Sequence, residues 1–594
     1  MTNLNNEQRR AVNHIYGPCL VLAGPGSGKT FTLVERIRHM VEDVGISPKE
    51  ILVITFSKKA AVEMQERFEL LTSHKSYPVY FGTFHAVFYN ILKNQGKFNN
   101  SSILTEKLKI QYMRRALKNI SYDIKDDSYV LEQLELASFY KNNENSFEGR
   151  TFESDELEKA ERIVKTYIEI CQKENKIDFD DMLNMCKELL ILKPEIKQFY
   201  QKIYKYILVD EFQDINKVQY DVLCMLSGTN NNVFAVGDDD QSIYGFRGSK
   251  PELMKRFLEE NKRCEVINLN KNYRCAAKII EAAGEVIGIN SSRIDKTQVP
   301  CKENKDDGFV SIEKCGNASV EADFVCEKLI QFRSENIDLS SVAIIFRTFR
   351  CIELLKEKMN ILGIPYTTNI TSDNFYELEW MKDIIAYIRI ATGSRDKEII
   401  SRIINKPDRG LDREDLFEEN TISMRFFNEV RRLSNMNCYA AVSFILKAIG
   451  YEKYLYSNLR SKGYDDAKID EIIDEVKEKS KLYENLSEWL SYIDSLALDK
   501  NNNEDKSCAV NLLSAHASKG LEFDTVFVVG LQEGVFPHNR AMSEEQIEEE
   551  RRLLYVAMTR AKKYLYLVGR GEKKHGKKIS RFLYELEERM MREV

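Results

Sequence analysis

The sequence predicts an α/β protein in which two parallel-sheet regions are each interrupted by a mainly helical insertion. Short apolar runs alternate with helical patterns early in the chain and again near its end, which is typical of a parallel sheet covered by helices. Polar stretches with helical periodicity separate the parts of each region. A Gly-rich octapeptide at 23–30 lies between an apolar run and a helical one, the context that a phosphate-binding loop requires.

The first α/β region is predicted from four apolar runs. Its predicted strands are Cys19–Leu22, Ile51–Thr55, Ile207–Asp210 and Val233–Gly237. Between about residues 89 and 194 the pattern becomes helical, polar and rich in Lys and Asn, so we interpret this stretch as a helical insertion.

The second α/β region begins near residue 279. Its predicted strands are Val310–Glu313, Val342–Phe346, Val510–Ser514, Val526–Gly530 and Tyr564–Val568. A mostly helical stretch, about 376–504, interrupts it, and the polar segment 501–506 is predicted to be a linker at the return.

The composition is that of an ordinary globular protein with several domains. The 594 residues are 43% hydrophobic and 30% charged, and the net charge of −6 means that any nucleic-acid partner must meet a local basic or aromatic groove. The 12 cysteines are scattered and favour reduced thiols over a zinc or iron–sulfur site. No apolar run reaches about 18 residues and no signal-peptide pattern is present, so we expect a cytoplasmic protein that does not contact a membrane.

The octapeptide predicts a site for nucleoside triphosphate and Mg²⁺. Its residues are Ala23, Gly24, Pro25, Gly26, Ser27, Gly28, Lys29 and Thr30. The glycines let backbone N–H groups turn toward an anion, and the following helix adds its positive N-terminal end. Lys29 is suited to the β- and γ-phosphates and Thr30 to Mg²⁺. A Gly-rich structural turn is the alternative.

Two further strand ends carry polar side chains suited to the same chemistry. Asp210 can hold Mg²⁺, and Glu211 can orient or deprotonate a water that attacks the γ-phosphate. Gln241 follows the next strand and can sense the γ-phosphate. Tyr244 and Phe246, a few residues on, offer ring faces on which unpaired bases stack, although this segment alone favours core packing for both rings.

Eight segments in a fixed order resemble the motifs of one family. They are Leu4–Arg9, Ile54–Arg67, Gly82–His85, Asp210–Asp214, Asp238–Gly248, Asn272–Arg274, Ser514–Phe523 and Glu549–Ala561. In that order they resemble the Q motif and motifs Ia, Ib, II, III, IV, V and VI of the superfamily 1A helicases, the UvrD/PcrA/Rep group. The resemblance covers nearly the whole chain.

This resemblance implies a division into two RecA-like P-loop domains, each with an insertion. Domain 1A comprises residues 1–88 and 195–278, and its helical insertion 1B comprises 89–194. Domain 2A comprises 279–375 and 505–594, and its short helical insertion 2B comprises 376–504.

The resemblance also implies roles at the nucleotide. For the adenosine part, Gln8 reads the adenine edge, Tyr273 stacks on the ring with Arg36 nearby, and Glu522 binds the ribose. Arg274 and Arg560 reach the γ-phosphate from opposite walls of the cleft, where a planar guanidinium pairs with two phosphate oxygens at once.

For DNA, the resemblance points to seven side chains. They are Phe56, His85, Tyr244, Phe246, Arg247, His516 and His538. Phe246 stands where the family usually has Trp, so we expect weaker stacking. Asp412 stands where the family has the second Gly of a turn that grips duplex DNA, and its charge disfavours that grip.

The predicted function is that of an ATP-dependent, 3′-to-5′ DNA helicase and single-stranded-DNA translocase in DNA repair or replication. Its expected partners are single-stranded DNA and junctions of single-stranded with duplex DNA. One alternative is a translocase that displaces proteins with little unwinding. A second is an ATP-gated DNA-binding subunit of a larger complex.

Two charge runs lie outside these motifs or at their edge. The lysines form a basic loop that either touches DNA or is merely solvated: Lys573, Lys574, Lys577 and Lys578. The acidic run is interpreted mostly as surface charge: Glu544, Glu545, Glu548, Glu549 and Glu550.

Overall fold

The computed structural model describes most of the chain. The described residues are 4–95, 102–120, 127–143, 145–148, 152, 156–229, 231–301, 307–368, 375–410, 421–461, 466–498, 508–571 and 576–592. Asp412, Lys573, Lys574, the linker 501–506 and the side chain of Arg247 lie outside them.

The strands follow the chain in this order: β1 (Cys19–Ala23), β2 (Ile51–Thr55), β3 (Tyr80–Thr83), β4 (Tyr206–Val209), β5 (Val233–Gly237), β6 (Glu265–Leu269), β7 (Lys271–Asn272), β8 (Val299–Pro300), β9 (Phe309–Cys315), β10 (Val342–Phe346), β11 (Tyr366–Thr368), β12 (Val510–Ser514), β13 (Phe523–Leu531) and β14 (Ala561–Arg570).

The helices are α1 (Asn6–Asn13), α2 (Lys29–Arg38), α3 (Lys58–Leu71), α4 (Phe84–Lys93), α5 (Glu106–Asn119), α6 (Asp127–Asn142), α7 (Glu156–Lys173), α8 (Phe179–Leu192), α9 (Pro194–Ile203), α10 (Lys217–Ser227), α11 (Glu252–Glu260), α12 (Ala277–Ile287), α13 (Ala318–Ser334), α14 (Glu353–Ile361), α15 (Glu379–Ala391), α16 (Lys397–Ile403), α17 (Thr421–Arg431), α18 (Cys438–Lys447), α19 (Tyr451–Ser461), α20 (Asp466–Ser480), α21 (Leu486–Leu498), α22 (Glu544–Met558) and α23 (Arg581–Arg592).

The chain divides into two compact units. The first comprises Met1–Glu313, Ala515–Gly569 and Lys578–Val594, and the second comprises Lys314–Ser514 and Arg570–Lys577. The predicted strands and the mainly helical character of the two insertions are confirmed among the described residues, and with them the α/β class. The assignment of four domains stays a prediction.

The first unit contains a six-stranded sheet in the order β3-β2-β4-β5-β1-β6. All neighbouring strands are parallel. Alternate residues of each strand enter different cores: Leu20 and Leu22 pack with Phe88 and Leu223, whereas Val21 packs with Leu33 and its neighbours on α2. A parallel sheet covered on both faces explains why its four inner strands, β2, β4, β5 and β1, read as continuous apolar runs.

The carboxyl ends of β1, β4 and β5 meet at one edge of this sheet because the strands are parallel neighbours. The Gly-rich loop follows β1, Asp210 follows β4, and Asp238 follows β5. The first unit also includes β13 and β14, which pair in parallel, with β9 beside β14. The helix α22 connects β13 to β14 along the chain.

The second unit has its own strands and helical core. Its strands lie in the order β11-β12-β10, and both pairs are parallel. The helices α15 to α21 bury a separate apolar cluster around Trp489 and Tyr387. None of the described helices in either unit combines the length and apolar character needed to cross a membrane.

Candidate active site and nucleic-acid interface

The Gly-rich loop is shaped to approach an anion. Gly28, immediately before α2, has φ 82° and ψ 34°, and it makes no side-chain cap for that helix. Gly26 has φ 69°, and a Cβ there would lie 2.5 Å from Oδ1 of Asn272. The left-handed backbone and the tight packing both require glycine. The backbone N–H groups at the start of α2 therefore face the cleft without a capping side chain.

Lys29 is the clearest sign that this site accepts phosphate. Its Nζ is buried and donates no hydrogen bond among the described residues, and it lies 3.9 Å from Oε2 of Glu211. A buried ammonium without an acceptor is costly, and phosphate oxygens would supply the acceptors. The residues present thus fit a bound triphosphate.

The carboxyls of Asp210 and Glu211 have opposite electrostatic environments. Burial and the adjacent charge of Glu211 raise the pKa of Asp210 to about 7. For Glu211, burial acts in the same direction, but the positive charges of Lys29 and Lys519 outweigh it and lower the pKa to about 2. A divalent cation would relieve the crowding of negative charge at Asp210. Asp210 and Thr30 both line the cleft and supply the oxygen ligands that Mg²⁺ prefers.

Lys519 is a further cation in this site, and its role was not predicted from the sequence. Its Nζ pairs with Asp214, donates to the backbone oxygen of Gln241 at 2.8 Å, and lies 4.0 Å from Oε2 of Glu211. It also lies 5.1 Å from the ring centroid of Tyr244. Although burial opposes it, the carboxylates of Asp214 and Glu211 raise the pKa of Lys519, so the side chain stays charged.

Arg560 reaches the same cleft from the turn that follows α22. In the described structure all its hydrogen bonds go to neutral oxygens, including one of 3.4 Å from Nη2 to Oε1 of Gln241. Burial, with the positive charge of Arg274 nearby, lowers the pKa of Arg560 to about 9. A buried guanidinium close to a second one, without a carboxylate of its own, is suited to an anionic ligand.

The cleft brings together the predicted catalytic side chains and has a volume of about 1170 Å³. The predicted residues that line it are Pro25, Gly26, Ser27, Gly28, Lys29, Thr30, Phe56, Asp210, Glu211, Gln241, Tyr244, Tyr273, Arg274, Glu522 and Arg560. Phe31, the third residue of α2, also lines it and was not predicted.

The prediction that Arg36 lies beside adenine is wrong. Arg36 is 2% exposed, and its Nη1 donates to the backbone oxygens of Ala11 and Val12 at 3.2 and 3.4 Å. Its guanidinium lies 4.0 Å from the ring centroid of Phe234, in the interior of the first unit, and burial lowers its pKa to about 10. The physical reason is helix geometry, because position 36 lies on the face of α2 that also buries Leu33 and Ile37.

The other residues predicted to bind adenosine lie around the loop. The amide of Gln8 donates from Nε2 to the backbone oxygen of Ser27 at 3.2 Å. Tyr273 is 43% exposed, and its backbone N–H donates to the oxygen of Gly26 at 2.8 Å. Glu522 accepts a hydrogen bond of 2.8 Å from Arg274 and pairs with Lys562 at 2.8 Å. Ala23 ends the buried strand β1, and Gly24 packs against Gln298.

Four of the predicted DNA-binding side chains form one aromatic cluster. The rings of Phe56 and Tyr244 are stacked with centroids 4.8 Å apart. Phe246 lies edge-on to Tyr244 and to His516, with centroid distances of 6.0 and 5.6 Å. Phe56 and Phe246 are 38% and 40% exposed. An exposed cluster of rings beside a cation is the kind of surface on which unpaired bases stack.

The structure places His85 and His538 in different surroundings. His85, in the first turn of α4, has its ring 5.7 Å from that of Phe179, and Lys109 lies 5.6 Å from the Phe179 ring. Phe179 is 46% exposed and was not predicted, although an exposed aromatic at the start of a helix is a recognisable signal. His538 follows β13, and its backbone N–H donates to Glu550 at 3.1 Å.

The acidic run before motif VI is not mainly surface charge, and that prediction is wrong for its second half. Glu548 and Glu550 are 4% and 7% exposed, whereas Glu544 and Glu545 are exposed. Glu548 accepts hydrogen bonds from the backbone and hydroxyl of Ser291. Glu549 accepts one of 2.8 Å from the backbone N–H of Gly245. The buried face of α22 therefore carries specific acceptors.

The carboxylates of Asp238, Asp239 and Asp240 lie close enough together to hold a metal ion, but a lysine takes that place. Nζ of Lys296 lies 2.6 Å from Asp238 and 3.0 Å from Asp240, and it also bonds Asp239. Asp238 in turn accepts a 2.7 Å bond from Nε2 of Gln241. The ion cluster thus orients the amide of Gln241.

Comparison with known families identifies the class of protein that this fold and site define. Residues 4–262 match the UvrD/REP helicase N-terminal domain, and residues 267–435 and 451–570 match the UvrD-like helicase C-terminal domain. The chain therefore belongs to the UvrD/Rep helicase family, as the order of its motifs predicted.

Relatives match along nearly the whole chain. The putative ATP-dependent DNA helicase YjcD of Bacillus subtilis is 33% identical, with 98% of this chain and 81% of the relative covered. ATP-dependent DNA helicase PcrA of Staphylococcus epidermidis is 30% identical, with 99% and 87% covered. DNA helicase II of Haemophilus influenzae is 31% identical, with 100% and 88% covered.

Proposed function

We propose that this chain is an ATP-dependent DNA helicase that moves 3′ to 5′ along single-stranded DNA and unwinds duplex DNA ahead of it. The observation that carries the proposal is the position of Lys519. Its ammonium bonds Asp214 and the backbone of Gln241 near Glu211, and it lies against the ring of Tyr244. Phosphate chemistry and the aromatic cluster therefore share one residue.

Glu211 is proposed to orient the water that attacks the γ-phosphate. A carboxylate whose pKa lies near 2 is ionised at neutral pH and accepts a hydrogen bond from water, but it is a weak base. Pairing of Lys29 with phosphate oxygens would remove part of the attraction that keeps this pKa low. Glu211 would then become a stronger base only when substrate is bound.

Arg274 and Arg560 are proposed to stabilise the charge that develops on the transferred phosphoryl group. Arginine fingers of this kind typically accelerate phosphoryl transfer by about 10³–10⁵. Thr30 and Asp210 would hold Mg²⁺, which supplies charge neutralisation between the phosphate oxygens when bound. Gln241 contacts Arg560 and is positioned to report on that event.

The aromatic cluster is proposed to hold successive bases of a single strand. Phe56, Tyr244, Phe246 and His516 offer ring faces, and because every base has a π face, binding by stacking would be independent of sequence. Phe179, the first residue of α8, packs on His85 and is proposed as a further ring for a base. Arg247 and His538 remain proposed DNA contacts on the family resemblance.

We further propose the domain organisation 1A, 1B, 2A and 2B with the boundaries given by the sequence, and action in the cytoplasm on junctions of single-stranded with duplex DNA in repair or replication. A second candidate is a translocase that displaces proteins with little unwinding. The smaller ring of Phe246, where the family usually has Trp, favours it.

The decisive test is the ATPase rate of the purified chain with single-stranded DNA, with single-stranded RNA and with neither. We expect stimulation by DNA above that by RNA. Absence of ATPase activity in all three would contradict the proposal and favour the gated-subunit alternative. Strand displacement from duplexes with a 3′ or a 5′ tail tests polarity, and we expect only the 3′-tailed substrate to be unwound.

The same preparation separates the helicase from the protein-displacing translocase. Efficient strand separation supports the helicase. ATP-dependent removal of a protein bound to single-stranded DNA, with duplexes left intact, supports the second candidate instead.

A further inference from the structure

In the chain, Gly245 stands between Tyr244 and Phe246, whose rings are proposed to hold bases. Its backbone is hydrogen-bonded to α22. The N–H of Gly245 donates to Oε1 of Glu549 at 2.8 Å. A Cβ on Gly245 would lie 2.5 Å from Oε2 and 2.9 Å from Oε1 of the same carboxylate. The absence of a side chain at 245 therefore allows this hydrogen bond, which a charged acceptor makes stronger than an ordinary one.

The same helix holds the segment at a second point. Nε of Arg552 donates to the backbone oxygen of Ser242 at 3.0 Å. Glu549 and Arg552 are three residues apart on α22 and so lie on one face of the helix. They fix Ser242 and Gly245, the residues on either side of the segment that contains Tyr244.

The end of α22 leads directly to the phosphate site. Arg560 follows the helix, and its Nη2 contacts the side chain of Gln241, the residue before Ser242. One helix and its C-terminal turn thus contact the segment 241–245 through Arg560, Arg552 and Glu549. A shift of α22 when Arg560 engages a phosphate would be passed to Tyr244 and Phe246 through these contacts.

An acidic side chain next to a surface for DNA also needs a physical reason. A free carboxylate there would repel the phosphate backbone. Glu549 is half-buried, and its carboxylate accepts a hydrogen bond from the backbone N–H of Gly245. That hydrogen bond gives the carboxylate a structural role at this position.

We propose that Glu549 is a positioning residue that couples nucleotide chemistry to DNA binding. By accepting the hydrogen bond from the Gly245 N–H, it makes the rings of Tyr244 and Phe246 move together with α22. This role rests on the proposed DNA-stimulated ATPase function and adds a residue to it. By linkage, the coupling acts in both directions: DNA changes the affinity for nucleotide, and nucleotide changes the affinity for DNA.

The test measures coupling as a ratio. For wild type, Glu549→Ala, Glu549→Gln and Gly245→Ala, the ATPase rate with saturating single-stranded DNA is divided by the rate without it. The affinity for a fluorescent single strand is measured with and without a non-hydrolysable ATP analogue. Glu545→Ala, an exposed glutamate on the same helix, is the matched control, and thermal unfolding midpoints report on folding.

We expect Glu549→Ala to lower the stimulation ratio and the nucleotide-dependent change in DNA affinity about tenfold, a typical coupling magnitude. Glu549→Gln retains an acceptor oxygen and restores most of the ratio, which a role that depends on the negative charge alone would not predict. Glu545→Ala matches wild type. Gly245→Ala resembles Glu549→Ala because its Cβ displaces the carboxylate.

The double variant G245A/E549A completes a double-mutant cycle, whose result does not depend on either substitution alone. If both act through one hydrogen bond, the double variant is no worse than Glu549→Ala. Additive losses, or a wild-type ratio in Glu549→Ala, would overturn the role. If Glu549→Ala fails to fold, Gly245→Ala decides, and a wild-type ratio there rejects the proposal. A wild-type chain that DNA does not stimulate rejects the proposed function itself, and this role with it.

Discussion

Nζ of Lys29 and Oε2 of Glu211 lie 3.9 Å apart, too far for a hydrogen bond, at the edge of the sheet where β1 and β4 end. The lysine donates no hydrogen bond in the described part of the chain, and the glutamate pKa is depressed. The two side chains are therefore positioned by the fold and not by a bond to each other. That separation leaves the ammonium available for phosphate.

Removal of Lys519 is expected to damage both stability and catalysis. Lys519→Ala leaves the buried carboxylate of Asp214 without its ion-pair partner and removes a cation from near the half-buried Glu211, and breaking a buried pair typically costs about 3–5 kcal/mol of folding free energy. The DNA-stimulated ATPase rate should fall as well. Denaturant unfolding and ATPase assays check this, with Lys262→Ala at an exposed lysine as control. Equal losses in the two variants would contradict the assignment.

Arg36 is expected to stabilise the fold and not to bind the nucleotide. Arg36→Met should lower the free energy of unfolding by about 3 kcal/mol, because it removes the cation from Phe234 and leaves the oxygens of Ala11 and Val12 without their donor. The KM for ATP should change little in the folded variant. A large rise in KM with unchanged stability would restore the nucleotide role. Arg9→Met, at an exposed arginine, is the control.

Phe246 tests the aromatic cluster. Phe246→Ala should weaken binding to single-stranded DNA by about 1–3 kcal/mol, the usual contribution of one stacked base, and Phe246→Trp should strengthen it. Fluorescence anisotropy with an oligonucleotide measures both. The exposed Phe199, on α9, serves as a control when replaced by Ala. Unchanged affinity in both Phe246 variants would remove this ring from the DNA surface.

The lowered pKa of His85 predicts that the stability of the fold depends on pH. Burial lowers its pKa below the ordinary 6.5, and the charge of Lys109 acts in the same direction, whereas Asp180 and Asp178 oppose the shift. The unfolded chain then binds a proton more readily than the folded one, so stability contributed by neutral His85 is present above pH 6.5 and is lost as the pH falls below it.

Denaturant unfolding at pH 7.5 and pH 5.5 checks this prediction, at two values chosen to lie on either side of the ordinary histidine pKa of about 6.5. The loss of stability should be smaller in His85→Gln than in wild type. His74→Asn, at an exposed position whose left-handed backbone suits Asn, should behave like wild type. An identical loss in wild type and His85→Gln would contradict the shifted pKa.

The sequence was sufficient for those parts of the site that local pattern determines. The loop 23–30, the carboxylates that end β4 and the ring-bearing segment after β5 lie at strand ends, and parallel neighbours bring strand ends together. The edge strands β3 and β6 were not predicted because each is only partly buried, so neither gives a continuous apolar run.

Side chains whose role depends on partners far away in the chain could not be assigned from local sequence pattern. Lys519, Lys296 and Glu549 meet their partners from segments far away in the chain, and a charged residue in sequence looks the same whether it is solvated or paired. Arg36 could have been placed correctly, because it lies on the apolar face of α2 defined by Leu33 and Ile37.

The measurement that tests the central claim most directly is made on Glu211→Gln. The claim is that Lys29, Glu211 and Arg560 serve one triphosphate, with Glu211 acting on the attacking water. The DNA-stimulated ATPase rate should fall by about 10²–10⁴, the usual contribution of such a group, while the affinity for ATP stays close to that of wild type. Turnover equal to wild type, or loss of ATP binding together with activity, would contradict the account.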